Sequence, residues 1–178
     1  MKNGELEYLN IIRHILDQGT LIPNRTGISA LTIPHMMLQH DMSLGFPLLT
    51  TKKMAWKSIR VELEGFLKGI SDKRWYQERG CHIWDEWCNP KKVPPYLADE
   101  ARKSYQLEEP DLGPIYGVLW RNWRGMDQLK NIVNTLKTNP YDRRMVCTAW
   151  DPSLLDEQAL PTCHYSWNVI VTNNKLHL

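Results

Sequence analysis

Residues 160–178, LPTCHYSWNVIVTNNKLHL, carry the pattern on which the fold assignment rests. After Pro161, apolar and aromatic side chains run through two segments that the pair Asn173-Asn174 separates. An Asn-Asn pair favours the left-handed backbone of a two-residue β-hairpin turn, so this stretch predicts two antiparallel strands. Cys163 stands where the preceding loop meets the first of these strands, and that position makes its thiol a candidate nucleophile.

Upstream of this hairpin, helical and strand-like patterns are intermixed. Apolar spacing predicts helices over residues 6–16, 56–68 and 126–138, and strands inside residues 30–44 and 143–150. Residues 91–110 have mixed charge and few apolar side chains, which predicts a surface insertion with one short helix. Residues 112–123, LGPIYGVLWRNW, predict a loop that leads into an aromatic segment. The order favours an α+β fold over a doubly wound α/β fold.

The composition places the chain among globular proteins. Its 178 residues are 42% hydrophobic and 24% charged, proportions that exclude disordered and fibrous classes and predict one domain over residues 1–178. A formal net charge of +2 argues against nucleic acid or a membrane surface as a partner. No apolar run approaches the length of a membrane span and the N-terminus lacks a signal core, so a cytoplasmic location is predicted.

Aromatic usage is unusual, with eight Trp and seven Tyr against two Phe. This composition suits a protein that binds flat, partly polar ligands or forms large interfaces. Trp84 and Trp87 stand close together in IWDEW (83–87), where they either belong to the core or stack a heteroaromatic ring.

The four cysteines form no CxxC pair, and we expect free thiols rather than disulfides. A zinc site would combine Cys81, His82 and Cys88 with Cys163 and His164, a spacing that fits no standard structural zinc pattern, so no metal is expected. For Cys163 two alternatives stay open, a reactive nucleophile and a small buried hydrophobic residue. Neighbours on a strand point to opposite faces, which argues against a Cys163–His164 dyad.

Arginine and glutamate residues supply further candidates, each with an ordinary alternative. Arg143 and Arg144 open a predicted strand, where guanidinium groups either bind a phosphate or form a solvated charge pair. Arg25 lies in a turn-rich loop whose Gly27 permits close approach of an anion. Glu62 borders the apolar stripe of its helix, so it is either a semi-buried acid–base group with a raised pKa or an exposed carboxylate.

A series of motifs in a fixed order connects these candidates. They are NRTG (24–27), FPLLTTKK (46–53), VELEGFLKG (61–69), IWDEW (83–87), DLGPIYGVLWR (111–121), DRRMVCTAWDP (142–152) and ALPTCH (159–164). In this order and spacing the chain resembles the thymidylate synthase family along essentially its whole length. The resemblance implies an α+β fold with a mixed β-sheet flanked by helices. It also implies transfer of a one-carbon unit from 5,10-methylenetetrahydrofolate to C5 of a deoxypyrimidine monophosphate, converting dUMP to dTMP.

The resemblance gives specific roles to the candidate catalytic residues. Cys163 becomes the nucleophile that adds to C6 of the pyrimidine, so that C5 can attack the one-carbon unit of the folate. Glu62 organises waters and moves protons at the pyrimidine and the folate. Tyr116 belongs to the catalytic pocket, and His164 lies beside the nucleophile.

The binding residues follow from the same resemblance, which also implies a homodimer with shared active sites. The resemblance implies that Arg25, together with Arg143 and Arg144 from the partner subunit, binds the phosphate. It places Asn168 in the base pocket. The folate would contact Ile83, Trp84, Trp87 and Leu160. The aromatic excess then serves two flat rings that must be stacked and shielded from water.

Several residues depart from the family pattern and leave the exact reaction open. Thr162 replaces a proline of the usual LPPCH, and Trp167 and Asn168 stand in a segment usually rich in phenylalanine, with Asn168 at a glutamine position. Gly65 stands where a tryptophan is usual, beside Glu64 in place of an apolar residue. One alternative is a dUMP or dCMP hydroxymethylase, which delivers water instead of hydride. Another is a non-catalytic fragment that keeps part of the nucleotide site.

The resemblance also bears on the end of the sequence. Family members continue beyond the position of Leu178, which lies inside the second predicted hairpin strand. We therefore expect residues 1–178 to be a thymidylate synthase-like domain that is truncated at its C-terminus, with an open sheet edge. We also expect no turnover by this chain alone, which an assay of dihydrofolate formation tests.

Overall fold

A computed structural model describes residues 3–178, in which helices and short strands are joined by loops and 3₁₀ turns. The helices are α1 (Asn3–Gln18), α2 (Trp56–Lys68), α3 (Lys73–Gln77), α4 (Asp99–Glu108), α5 (Tyr116–Arg121) and α6 (Gln128–Thr138). The strands are β1 (Thr20–Ile22), β2 (Ala30–Thr32), β3 (Val146–Thr148), β4 (Ser166–Asn168), β5 (Ile170–Thr172) and β6 (Lys175–His177). The predicted α+β class is confirmed. The chain divides into two compact units, with the boundary in the sequence between Ala55 and Trp56.

The first unit contains α1 and the antiparallel pair β1–β2. Its buried Glu5 carboxylate accepts hydrogen bonds from the backbone N–H groups of Thr50 and Thr51, and these bonds lower the pKa of Glu5. The strand predicted inside residues 30–44 is only three residues long. Pro34 follows it closely and has no backbone N–H to extend the ladder, so the longer strand prediction is wrong.

In the second unit, α2 has the bounds that the sequence predicts. At its C-terminus Gly69 donates its backbone N–H to the Phe66 carbonyl oxygen, which ends the helix. α5 packs directly on α2, because a Cβ atom on Gly117 would lie only 2.7 Å from the Phe66 Cα. Part of the loop predicted over residues 112–123 is therefore the helix α5. A helix this short is stabilised by the apolar face that it buries rather than by its own sequence.

The helix predicted over residues 126–138 is present as α6, whereas the strand predicted inside residues 143–150 is only the three-residue β3. α6 begins at Gln128 and is capped by the Asp127 side chain, which accepts a hydrogen bond from the Lys130 N–H. The buried Gln128 amide joins three elements, since its Nε2 donates to the carbonyl oxygens of Leu119 and Thr148 at 2.8 Å. The short helix predicted within residues 91–110 is α4, which buries none of its side chains fully.

The strands pair two by two. β3 pairs antiparallel with β4, and β5 pairs antiparallel with β6 through a turn in which Asn173 and Asn174 have φ angles of 50° and 58°. The predicted Asn-Asn hairpin is thus confirmed. Across residues 3–178 the strands form three such pairs, whereas the resemblance implies one mixed sheet.

The core of the second unit lies where α2, α5, α6 and β3 meet. Its buried side chains include Val61, Phe66, Tyr76, Trp84, Leu112, Ile115, Tyr116, Leu119, Trp120, Ile132, Met145 and Cys147. Two of them, Trp84 and Tyr116, were singled out as site residues, so the candidate site shares its walls with the core. Within the described chain, no helix is both long and apolar enough to cross a bilayer.

Candidate active site

The Cys163 side chain is exposed in a bend just before β4. Cys81, Cys88 and Cys147 are buried, and burial raises the pKa of each thiol, that of Cys147 to about 12. Burial thus disfavours the nucleophilic thiolate form at these three cysteines. Cys163 is the exposed thiol, so it is the one that a substrate can reach. The alternative of a small buried hydrophobic residue at Cys163 is therefore wrong.

Tyr116 fixes the backbone that carries this thiol. The Cys163 N–H donates a hydrogen bond of 2.8 Å to the Tyr116 hydroxyl oxygen, and the ring centroids of Tyr116 and His164 are 5.4 Å apart. Burial raises the pKa of Tyr116, so its hydroxyl stays neutral near physiological pH. The three predicted residues Cys163, Tyr116 and His164 therefore lie together.

Glu62 forms the second polar feature of the site. Its carboxylate is half-buried on α2, and its Oε1 accepts a hydrogen bond of 3.1 Å from the Trp84 indole N–H. Burial raises the pKa of Glu62, while the bond from Trp84 opposes that rise. The half-buried position with a raised pKa matches the first of the two alternatives for Glu62, and its acid–base role stays a prediction.

Phe66 connects these two features. It follows Glu62 by one turn of α2, and its ring centroid lies 4.7 Å from that of Tyr116. Glu62 and Tyr116 therefore lie on two helices that pack directly against each other. No motif in the sequence marks Phe66 as a site residue, although its i+4 spacing from Glu62 is a usable signal.

The predicted folate and base residues differ in exposure. Trp84 is almost fully buried, whereas Trp87 and Leu160 are partly buried against the core. Ile83 and Asn168 have exposed side chains, Asn168 at the end of β4 opposite Val146. A partly polar ring would find apolar side chains from Ile83 and Trp87 in the segment that carries Trp84, the hydrogen-bond donor to Glu62. Folate binding by these residues stays a prediction.

The predicted phosphate residues are exposed. Arg143 and Arg144 lie in a turn before β3, in which the Asp142 carboxylate accepts a hydrogen bond of 2.7 Å from the Arg144 N–H. They do not open the strand as the sequence suggested, because the ladder begins only at Val146. Arg25 lies in the first unit, in an exposed turn between β1 and β2. Their contact with phosphate stays a prediction.

The residues weighed for zinc are engaged in other contacts. The Cys81 thiol lies 3.7 Å from the Ser58 carbonyl oxygen, and the His82 ring bonds to the Asp85 carboxylate at 3.0 Å. Among residues 3–178, no group of three or more His, Cys, Asp and Glu side chains has an arrangement that could hold a metal ion.

A protein-family model described as Thymidylate synthase matches residues 6–178. The chain belongs to the thymidylate synthase family. Membership supports one-carbon transfer to C5 of a pyrimidine nucleotide and the use of methylenetetrahydrofolate. It also agrees with the α+β architecture.

The structure accounts for three departures from the thymidylate synthase pattern. A Cβ atom on Gly65 would lie 2.3 Å from the fully buried ring of Tyr76, so Tyr76 occupies the space that a tryptophan would need. Thr162 is buried and its hydroxyl donates to the Ala149 carbonyl oxygen at 2.7 Å. Glu64 is exposed and pairs with Lys68 at 2.6 Å, so it carries no buried charge.

Proposed function

We propose that this thymidylate synthase family member converts dUMP to dTMP through a covalent adduct at Cys163. The observation that carries the proposal is the exposed thiol on a backbone fixed by Tyr116, on the same helical frame as the Glu62–Trp84 pair. An exposed thiol alone is common. A half-buried carboxyl group with a raised pKa, on the helix against which the Tyr116 helix packs, is the kind of proton-transfer group that active sites combine with a nucleophile.

The Cys163 thiolate adds to C6 of the pyrimidine, and the electron pair of the C5–C6 double bond moves to C5 and the C4 oxygen. This addition makes C5 nucleophilic toward a one-carbon electrophile. Methylenetetrahydrofolate, when bound, supplies the one-carbon unit and the hydride and becomes dihydrofolate. The C5 proton is lost to a base and the bond from the transferred carbon to the folate nitrogen breaks, which leaves a methylene group on C5. Hydride addition to this methylene group then expels the Cys163 thiolate from C6 and restores the C5–C6 double bond.

Glu62 handles the protons that this sequence requires. Its raised pKa keeps a fraction of the carboxyl protonated at higher pH than an exposed glutamate allows, so it can both donate and accept a proton through water. The bond from Trp84 fixes the Oε1 atom, which leaves the second oxygen for solvent or substrate.

We also propose a homodimer in which Arg143 and Arg144 bind the phosphate in the partner subunit's site. Their exposure supports this role, and paired guanidinium groups match the geometry of a phosphate. Light scattering with and without dUMP measures the assembly. Replacing both arginines with glutamine weakens dUMP binding in our account and leaves the dimer intact.

The proposal is tested by trapping with 5-fluoro-dUMP and methylenetetrahydrofolate. Fluorine at C5 cannot leave as a cation, so the sequence stops after the new carbon–carbon bond has formed. The expected result is a covalent complex of protein, nucleotide and folate that survives denaturation, and that Cys163→Ser does not form. A chain that binds dUMP without forming this complex is the non-catalytic alternative.

The hydroxymethylase alternative has one observation in its favour. Tyr76 fills the space beside Gly65, three residues from Glu62 on α2, so the packing on this helix differs from that around the tryptophan usual in the family. Incubation with dUMP, dCMP and the folate, followed by mass spectrometry of the released nucleotide, separates the two reactions. A methyl product supports the synthase, and a hydroxymethyl product overturns it.

A further inference from the structure

Lys73, in the first turn of α3, is only 1% exposed although its side chain carries a charge. Its Nζ donates hydrogen bonds to the carbonyl oxygens of Asp85 at 2.9 Å, Trp87 at 3.1 Å and Gln106 at 2.5 Å. An ammonium group has three N–H donors, so these acceptors saturate it. Burial lowers the pKa of Lys73, an effect that Cys88, Asp85 and Glu109 oppose.

The Gln106 carbonyl has a specific reason to need this partner. It belongs to the last turn of α4, where the helical donor would be the N–H of residue 110. Residue 110 is proline, which has no N–H. The Lys73 ammonium takes the place of that donor and puts a positive charge at the negative end of the helix dipole.

The other two acceptors lie in the segment that carries the tryptophans. Asp85 and Trp87 flank Glu86 in an irregular turn, so their carbonyls have no ladder partner to hold them. Trp84, the donor to Glu62, immediately precedes Asp85. A single ammonium group therefore holds the backbone on which the Trp84–Glu62 bond depends, and joins it to the 91–110 insertion.

We propose that Lys73 is a positioning residue that holds the 84–87 segment so that the Trp84 indole stays on Glu62, with α4 acting as part of the support. An effect of Lys73 on catalysis rests on the proposed function, but its hydrogen bonds to the 84–87 segment do not. The insertion then contributes to the site, although its own side chains are mostly exposed.

Hydrogen exchange on the full chain tests the holding role. Lys73→Met keeps the length of the side chain and removes its donors, and Lys103→Met, on an exposed position of α4, is the matched control. Because hydrogen bonds from a charged donor are among the stronger ones, exchange at residues 84–88 and 103–109 should be faster by about tenfold or more in Lys73→Met. Unchanged exchange there, with Lys103→Met as reference, overturns the proposal.

Titration of Glu62 by carbon-13 NMR tests the positioning role. If Lys73 acts through Trp84, Lys73→Met raises the pKa of Glu62 as Trp84→Phe does, and adds nothing in the Trp84→Phe background. A pKa of Glu62 equal to that of the wild type in Lys73→Met contradicts the proposal. Lys73→Gln keeps two N–H donors and is titrated in the same way if Lys73→Met does not fold.

Covalent trapping separates the two proposals. Slower formation of the 5-fluoro-dUMP complex in Lys73→Met, together with a raised pKa of Glu62, supports both the proposed function and the positioning role of Lys73. A wild-type chain that forms no complex overturns the proposed function, while the exchange and titration results still decide the contact. If Lys73→Met forms the complex at the wild-type rate although the pKa of Glu62 is shifted, Lys73 has no effect on catalysis and that part of the proposal is overturned.

Discussion

The Cys163 N–H and the Tyr116 hydroxyl oxygen are joined by a hydrogen bond of 2.8 Å. The bond connects the bend that carries the exposed thiol to the first turn of α5. Since α5 packs on α2, the position of the nucleophile is coupled to the helix that carries Glu62.

Tyr116→Phe removes the acceptor and leaves the Cys163 N–H without its partner. We expect a loss of about 1 kcal/mol in the free energy of unfolding, measured by chemical denaturation, together with slower trapping of 5-fluoro-dUMP. Tyr96→Phe, at a strongly exposed tyrosine, is the control. Equal stability and equal trapping in the two variants would show that the bond does not hold the nucleophile.

Thiol reactivity should single out Cys163 in the native chain. A disulfide reagent is expected to modify one thiol rapidly, and the buried Cys81, Cys88 and Cys147 orders of magnitude more slowly, because they react only after local opening. Cys163→Ser should lose the fast phase. A fast phase that persists in Cys163→Ser would place a reactive thiol elsewhere.

Glu62→Gln should stabilise the fold at neutral pH. The folded chain binds the Glu62 proton more tightly than the unfolded chain does, so wild-type stability falls as pH rises from about the ordinary pKa of 4.5 through the raised folded value. The gain of Glu62→Gln over wild type in the free energy of unfolding therefore grows across this pH window and is constant above it. Trapping of 5-fluoro-dUMP is lost in this variant. Thermal unfolding at several pH values measures the difference.

Glu64→Gln on the same helix is the control for this pH dependence. The pKa of Glu64 is lowered by its hydrogen bond with Lys68, so this substitution should become less favourable as pH rises. The effect should be small because the pair is exposed. If the stability difference from wild type changed with pH in the same direction in both variants, the burial of Glu62 would be contradicted.

Gly65→Ala should destabilise the chain, although alanine normally favours a helix interior over glycine. The added Cβ would lie 2.3 Å from the Tyr76 ring, and overpacking of this kind costs about 1–3 kcal/mol. Denaturation of Gly65→Ala and of Gly65→Ala with Tyr76→Leu measures the clash. A stabilising Gly65→Ala would mean that Tyr76 does not fill this space.

Local chemistry explains which parts of this molecule the sequence predicts. The bounds of α2 follow from its apolar stripe and from Gly69, and the β5–β6 turn follows from Asn173-Asn174, because each signal lies within the element itself. α5 was missed because its stability comes from the face that it buries on α2. The strand after Ala30 was predicted too long because Pro34 outweighs the apolar pattern.

In the candidate site, too, the sequence marks some residues and only the structure reveals others. The roles expected for Cys163, Glu62 and Tyr116 follow from the family resemblance, which rests on motifs visible in the sequence. The structure adds the Phe66 ring, which packs on Tyr116 from the helix that carries Glu62. Lys73 had no signal in the sequence, since its three partners are backbone carbonyls whose residue types carry no information about the contact. Contacts of this kind become visible only when the fold brings distant backbone segments together.

Addition of the Cys163 thiolate to C6 of the pyrimidine is the central step of the proposed reaction. Its most direct test is a peptide map of the chain after incubation with 5-fluoro-dUMP and methylenetetrahydrofolate. We predict that nucleotide and folate together label the peptide containing Cys163, and that Cys163→Ser carries no label. A label on any other residue, or none on a wild-type chain that binds both ligands, would contradict the account.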